Sequence, residues 1–271
     1  MEKNGTHGFV FDVERFSTVD GPGIRTVIFF KGCNLKCFWC HNPESIRREA
    51  ELELDESSCI RCGLCVAVCP ENAHSLQTDP RFMRERCKQC FRCSEICPTQ
   101  ALKRVGQWLS VEDCMDMIRQ DVPFYRHSGG GVTLSGGEVL LQSDFAEKLL
   151  KRCTEENIHT AIESNLCFPK SRLEQLLPYL NLVMADIKQI DPDKHRQGTG
   201  ASNHQVFENL RYLNKRNVPV ILRTPSTPDI SELERLSATT TFKPALINST
   251  AVCEPIYPAP PDTKTVFCFI L

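Results

Sequence analysis

One cysteine pattern is written twice along the chain. Cys59, Cys62, Cys65 and Cys69 run into Pro70, and 28 residues later Cys87, Cys90, Cys93 and Cys97 run into Pro98. No other feature constrains the fold as tightly, because the segment has to fold around whatever its thiols bind. The spacing C-x2-C-x2-C-x3-C-P is that of paired 4Fe–4S clusters, in which the fourth cysteine of each run ligates the other cluster. Cys59, Cys62, Cys65 and Cys97 therefore fall to one cluster, and Cys87, Cys90, Cys93 and Cys69 to the other. Four-cysteine zinc sites share the C-x2-C knuckle but need neither the third cysteine two residues on nor the trailing x3-C-P.

Sixteen cysteines are present, and eleven of them lie in tight groups. Nothing at the N-terminus, MEKNGTHGFVFDVERF, resembles a secretory h-region, so metal in a reducing cytoplasm is expected rather than a disulfide framework. The ungrouped Cys114, Cys153, Cys167, Cys253 and Cys268 read as small apolar residues. An apolar fraction of 41% and a charged fraction of 24% are those of a globular protein. A net charge of −2 gives no reason to expect nucleic acid. No apolar run approaches the roughly 18 residues of a membrane span.

The third cysteine group is KGCNLKCFWCHNPE, residues 31–44. Cys33, Cys37 and Cys40 are spaced C-x3-C-x2-C, and the next cysteine, Cys59, is already assigned. Three thiolates on a four-iron cube leave one iron open, as a catalytic metal site keeps a vacant position. The motif follows an apolar, β-rich run, residues 26–30, itself preceded by the turn-like DGPG at 20–23.

Beyond the cysteine-dense segment, strand and helix patterns alternate. Strands are expected at 131–134, 160–162, 182–187 and 220–223, and helices at 144–156, 171–180 and 205–215. Ser171 with Glu174, and Ser231 with Glu234, form capping-box patterns that would open helices. Repeated βα units imply an α/β fold with a parallel sheet and outer helices, closed or partly closed as a barrel, with the working residues at the C-terminal strand ends. After Pro228 the text turns Thr- and Pro-rich and loses its periodicity.

These motifs resemble the radical S-adenosylmethionine (SAM) superfamily. The flanks VDGPGIRT at 19–26, FFKGC at 29–33 and CHNPE at 40–44 are similar to those of the glycyl-radical-enzyme activating enzymes of the pyruvate formate-lyase-activating type, in the branch with a ferredoxin-like insert. The resemblance covers residues 8–228 and implies a partial (β/α) barrel over 1–50 and 104–228, a two-cluster insert over 51–103, and an atypical tail over 229–271. It implies three 4Fe–4S clusters, with SAM on the open iron of the Cys33, Cys37 and Cys40 cluster. Reduction would split SAM to methionine and a 5′-deoxyadenosyl radical, which takes hydrogen from a glycine of a partner enzyme.

By the same resemblance Gly136, Gly137 and Glu138 hold the SAM amino group. Asp186, Ile187 and Lys188 form a D-x-K segment in which Lys188 meets the SAM carboxylate, and Asp186 with the Met184 carbonyl holds a monovalent cation. Glu163, where many relatives have Asp, and Arg223 lie near SAM. Trp39, Cys40 and His41 pack the adenine, while Asp20 and Arg25 face the partner. A flavodoxin or ferredoxin donates electrons to a monomeric enzyme of formate C-acetyltransferase-activating type. Relatives place a histidine loop near SAM after the arginine strand. The last histidine here is His204, so weakened SAM binding or partner activation is expected. Two other readings are an electron carrier, which needs none of the strand-end motifs, and a radical SAM enzyme acting on a small molecule, which the DGPGIRT and CHNPE flanks disfavour.

Overall fold

A computed structural model of the chain describes residues 5–224 and the backbone of 269–270. The chain begins with β1 (His7–Ser17), which turns through the DGPG loop into β2 (Arg25–Phe30). The two are antiparallel, with Val10 opposite Phe30 and Ser17 opposite Arg25. The apolar pattern does not reveal β1, because only Gly8, Phe9, Val10 and Ser17 are buried along its length while charges occupy its second half.

The chain then leaves this sheet. β3 (Glu51–Leu54) and β4 (Leu102–Val105) pair as a separate antiparallel ribbon, Glu51 opposite Val105 and Leu54 opposite Leu102. Between them lie two short helices, α1 (Leu64–Val68) and α2 (Arg92–Glu95), over a small core of Leu52, Ala73, Phe82, Cys93 and Leu102. The cysteine repeat is also a backbone repeat. Left-handed φ values occur at Arg61 and Gln89 (56° each), at Gly63 and Phe91 (80° and 59°), and at Asn72 and Gln100 (50° and 54°), always 28 residues apart. Such residues are uncommon outside glycine. Their recurrence shows the same loop wrapped twice around the thiols.

β5 (Gln107–Ser110) returns to pair with β1 and leads into α3 (Val111–Arg119), opened by a capping box of Ser110 and Asp113, and then α4 (Val122–Ser128). The expected alternation follows: β6 (Gly131–Gly136), α5 (Ser143–Glu155), β7 (His159–Ser164), α6 (Lys170–Leu176), β8 (Leu182–Asp186), α7 (Pro192–Thr199), α8 (His204–Lys215) and β9 (Val220–Arg223). β2, β6, β7, β8 and β9 are parallel neighbours in that order. A two-residue strand, β10 (Phe269–Ile270), adds antiparallel to β9.

Ile28, Leu134, Ile162, Val183 and Val220 stand in one row across the parallel strands. All are buried in a single core with Phe145, Leu149 and Leu150 of α5, Leu173 and Leu176 of α6, and Val206, Leu210 and Leu213 of α8. Each such side chain contributes about 2 kcal/mol on burial. Because strand side chains alternate, the neighbouring positions face the other way, where Ala161, Leu182, Met184 and Ile221 form a separate buried cluster. This is the concave face of a partial barrel, and its polar residues collect at the C-terminal strand ends.

Two expectations need correction or fall outside the described chain. Ser171 does not open α6: the helix starts at Lys170 with Pro169 at its N-cap, and Glu174 instead pairs with Lys170 at 3.4 Å. Proline, with its fixed φ, supplies the start expected of the serine. The box at Ser231 and Glu234 lies outside the described residues, as do Cys253, Cys268 and most of the segment after Pro228. Cys114 and Cys153 are core residues as expected, and Cys167 is half-buried. Among the described residues no helix is long and apolar enough to cross a membrane.

Candidate cofactor site at the strand ends

The cysteine loop leaves the end of β2 and is tied down on both sides. Gly32 N–H donates to Ser45 O at 2.6 Å and Cys33 N–H to Ile46 O at 3.0 Å. Farther on, Lys36 N–H donates to Thr199 O and Phe38 N–H to Gly198 O, 2.8 and 3.2 Å, so the end of α7 frames the loop. Cys33 Sγ accepts from Leu35 N–H at 3.4 Å and lies 3.9 Å from Asn165 Nδ2. Burial pushes the Cys33 thiol up to about 12, against the pull of Lys188. Burial likewise raises Cys37, again with Lys188 opposing. A thiolate in this setting needs a cation, and a coordinated metal deprotonates a thiol outright.

The SGGE turn ends β6 and is pressed against the same loop. Gly137 N–H donates to Phe30 O and Glu138 N–H to Gly32 O, each at 2.8 Å. A Cβ on Gly136 would lie 2.4 Å from Phe30 N and O, and one on Gly137 would lie 2.1 Å from Gly32 O. Gly136 also has φ +106°, a conformation that favours glycine. The motif assigns these glycines to ligand approach, but the neighbouring protein backbone alone requires them. The Glu138 carboxylate is buried and accepts from Leu140 N–H (3.0 Å), Ser164 Oγ (2.7 Å) and Asn165 N–H (2.8 Å). It clamps the ends of β6 and β7, and burial raises it to about 7.

The remaining strand ends carry a charge network. Asp186 and Lys188 pair at 2.9 Å. Burial alone would lower Lys188, yet Asp186, Glu163 and Cys37 hold its ammonium above the ordinary value. Glu163 accepts from Ser135 Oγ at 2.7 Å and from Arg223 Nη1 at 2.8 Å, and burial together with Asp186 raises it. Arg223 also donates to Val19 O at 2.7 Å and stands 4.0 Å from Asp20 Oδ1. Ile187 is buried, and its N–H donates to Arg223 O at 2.8 Å, joining β8 to β9. Glu163, Asp186, Lys188 and Arg223 therefore meet in one place, from which the Lys188 charge reaches both Cys33 and Cys37.

Trp39 lies against Gly198, where a Cβ would be 2.4 Å from its ring, and stacks edge-on with Phe38 at 4.6 Å. Cys40 closes a turn onto Cys37 O at 3.1 Å, and His41 is exposed. Arg25 requires a correction. Expected to face a partner, it is fully buried: Nε donates to Thr133 Oγ1 at 2.7 Å, Nη2 to Val132 O at 2.6 Å and Nη1 to Pro22 O at 3.1 Å. It holds the DGPG loop against the concave face from within. Asp20 stays near the network, accepting from Ser17 Oγ at 2.5 Å.

The sequence motifs assign no role to Asn34 or Asn165. Asn165 Nδ2 donates to Asn34 Oδ1 at 3.0 Å, and Asn34 Nδ2 donates to Cys167 O at 2.8 Å, a chain that fastens the cysteine loop to the end of β7. A signal for them does exist: Asn34 sits inside the cysteine motif, and Asn165 follows Glu163 at a strand end.

In the inserted segment, a cavity is lined by Cys59, Cys62 and Cys65 of the first run together with Cys97 and Cys93 of the second, with apolar Ile60, Leu64 and Leu76 beside them. Burial pushes Cys93 up to about 11, and the thiols that add to the effect are Cys87 and Cys69. Cys97 thus sits with the first run and Cys69 near the second, as paired 4Fe–4S ligation requires, while Cys93 borders both groups. Among the described residues no three His, Cys, Asp or Glu side chains are drawn together as ligands of one metal ion. In a four-iron cluster each thiolate takes its own iron, so the thiols need not converge on a point.

Comparison with known proteins agrees with this geometry. Residues 84–237 match the Radical SAM superfamily, residues 51–104 a 4Fe-4S dicluster domain, and residues 19–68 a 4Fe-4S single cluster domain. The chain is 40% identical over 231 residues to the (2S)-3-sulfopropanediol dehydratase activating enzyme of Klebsiella oxytoca, covering 83% of this chain and 73% of that one. It is 42% identical over 242 residues to the isethionate sulfite-lyase activating enzyme of Oleidesulfovibrio alaskensis, covering 86% and 78%. It is 42% identical over 235 residues to the indoleacetate decarboxylase activating enzyme of Tractidigestivibacter scatoligenes, covering 82% and 74%. With the superfamily match over more than half its length and these relatives along most of the rest, the chain belongs to the radical SAM superfamily and, within it, to the activating enzymes of glycyl radical enzymes.

Proposed function

We propose that the site between the cysteine loop and the ends of β6, β7, β8 and β9 binds SAM for installation of a glycyl radical on a partner enzyme. When bound, the cluster and SAM together supply one electron and a 5′-deoxyadenosyl radical able to take hydrogen from a glycine Cα. Cys33, Cys37 and Cys40 would hold three irons of a four-iron cluster, leaving the fourth open to the SAM amino and carboxylate groups. Lys188, oriented by Asp186, offers its ammonium to that carboxylate. The backbone at Gly136–Glu138 and the last open acceptor position of Glu138 suit the ammonium end. Glu163 and Arg223 fix one another and face the nucleoside side, with Trp39, Cys40 and His41 along the other wall. Asp186 and the Met184 carbonyl supply oxygens for a monovalent cation.

The observation that carries this reading is the shared joint of the two motifs. Gly137 and Glu138 bond to the carbonyls of Phe30 and Gly32, directly ahead of Cys33, while the Lys188 charge reaches both Cys33 and Cys37. The cavity of Cys59, Cys62, Cys65 and Cys97 supports two further clusters, three in all, in an insert over 51–103 set into a barrel of 1–50 and 104–228, followed by a tail over 229–271. A cytoplasmic monomer reduced by a flavodoxin or ferredoxin completes the proposal. Motif resemblance favours a partner of the formate C-acetyltransferase type. The relatives' names instead mention sulfopropanediol, isethionate, indoleacetate and choline enzymes, so the partner panel must include all of these.

Anaerobic reconstitution with iron, sulfide, reductant and SAM tests the reading. Formation of 5′-deoxyadenosine is expected, and Cys37→Ala abolishes it. A glycyl radical signal in electron paramagnetic resonance is expected when the right partner is added. Undiminished SAM cleavage in Cys37→Ala removes the cysteine loop from the chemistry.

A further inference from the structure

Lys31, two residues ahead of Cys33, has no part in the site just described, yet it is buried with its side chain wholly inaccessible. Its Nζ donates to Glu51 Oε2 at 2.9 Å and to the backbone carbonyl of Glu44. Glu51 is the first residue of β3 and pairs with Val105, the last of β4, so the ion pair sits at the root of the inserted segment. Gly106, which follows β4, presses on the lysine stem so closely that a Cβ there would lie 2.8 Å from Lys31 Cδ. On the barrel side, Lys31 O accepts from Gln142 Nε2 at 3.1 Å, and the same amide clasps Phe9 N–H and O at 2.7 and 2.9 Å. One side chain thus touches both ends of the insert while its backbone leads directly into the cysteine loop.

An ammonium out of water is tolerated only where it is paired in good geometry, and such a pair accepts few alternative arrangements. Apolar packing at the same spot would let the ribbon slide; an ion pair resists it. We propose that Lys31–Glu51 is a positioning joint that holds the insert at a set distance and orientation from the Cys33–Cys40 loop, so that electrons received by the insert reach that loop. In the transfer, one electron leaves an external carrier, which is oxidised, and reduces the iron held by Cys33, Cys37 and Cys40; no bond or proton moves. The inference rests on taking the two-cluster, ferredoxin-like insert of the proposed function as an electron relay between the external carrier and the cysteine loop.

The test uses the anaerobically reconstituted protein with two reductants, reduced flavodoxin and titanium(III) citrate. Titanium(III) is small enough to reduce the cysteine-loop cluster directly. In Glu51→Ala, iron and sulfide content and the titanium-driven rate of 5′-deoxyadenosine formation are expected to persist. The flavodoxin-driven rate is expected to fall about tenfold or more, the scale on which small misplacements act. The magnetic interaction between the clusters, read from microwave power saturation, is expected to weaken in parallel. Glu51→Gln, which can still accept from Lys31, restores most of both readouts. Equal losses under both reductants would reduce Lys31 to a support of the cysteine loop, and no loss under either would overturn the joint. Cys90→Ala tests the relay itself. If it leaves the flavodoxin-driven rate intact, the relay reading fails, whereas the magnetic readout in Glu51→Ala still reports separately on whether the pair sets the distance.

Discussion

Gly137→Ala separates two reasons for glycine in the SGGE turn. If the residue is small only so that SAM can approach, alanine should leave the ligand-free protein as stable as before. The structure says otherwise, because the new Cβ would lie 2.1 Å from Gly32 O and 2.8 Å from Ser45 O. A carbon and an oxygen cannot approach so closely, so the turn and the cysteine loop must part by about 1 Å, an overpacking that costs about 1–3 kcal/mol. Parting them also weakens the bonds from Gly137 N–H to Phe30 O and from Glu138 N–H to Gly32 O, both 2.8 Å, each worth about 1 kcal/mol net. The sum is about 4 kcal/mol, or about 8–16 °C in Tm for a chain of this size. Gly129→Ala is the control. Its φ is +68° but nothing lies within 4 Å of the added carbon, so only the left-handed conformational cost of about 1–2 kcal/mol applies. Thermal melts of the two cluster-free variants, followed by circular dichroism, give the comparison. Should Gly137→Ala melt within a degree or two of Gly129→Ala, the backbone clash is not what selects glycine.

Burial raises the Glu138 carboxyl from 4.5 to about 7 in the ligand-free fold. The native state therefore keeps a proton that the unfolded chain has released, and stability declines as pH rises between those values, by about 3 kcal/mol in all. Urea midpoints of the ligand-free protein from pH 5 to 8 should show that slope, and Glu138→Gln should flatten it; an unchanged slope assigns it elsewhere. Cys97→Ala should remove about four irons per chain and produce the same spectral loss as Cys59→Ala, while Cys69→Ala should match Cys87→Ala. If Cys97→Ala matches Cys87→Ala instead, the exchange of the fourth ligand is wrong. Arg25→Met strands Thr133, Val132 and Pro22 as partners and should cost about 3 kcal/mol. Partner affinity per mole of folded protein should not change, and a loss of affinity at unchanged stability would return Arg25 to a surface role.

Features set by neighbours along the chain are legible in the order of residues. Thiol spacing reports cluster ligation because consecutive ligands must reach one cube across two or three residues. Strand and helix periodicity reports the βα units because a buried face repeats every two or about 3.6 residues. β1 is not legible in this way because its alternation is broken by the apolar run Phe9, Val10 and Phe11 and by the consecutive exposed Glu14, Arg15 and Phe16, and its place comes from pairing with β2 and β5. The start of α6 is ambiguous for another reason: a capping box and a proline compete within three residues, and the proline prevails.

Residue order alone points eleven cysteines to iron–sulfur groups, leaves one trio with an open position, and sets strand ends carrying Glu138, Glu163, Asp186, Lys188 and Arg223 after it. How those charges are used follows from the packing of distant segments. Glu138 is occupied largely by Leu140, Ser164 and Asn165, Arg25 turns inward, the SGGE glycines answer to the backbone of the cysteine loop, and Lys31 reaches across to Glu51. The reason is range. Ligand spacing and periodicity act over a few residues, whereas the burial and most partners of a charged side chain depend on segments 20 to 132 residues away that meet only when the sheet has formed.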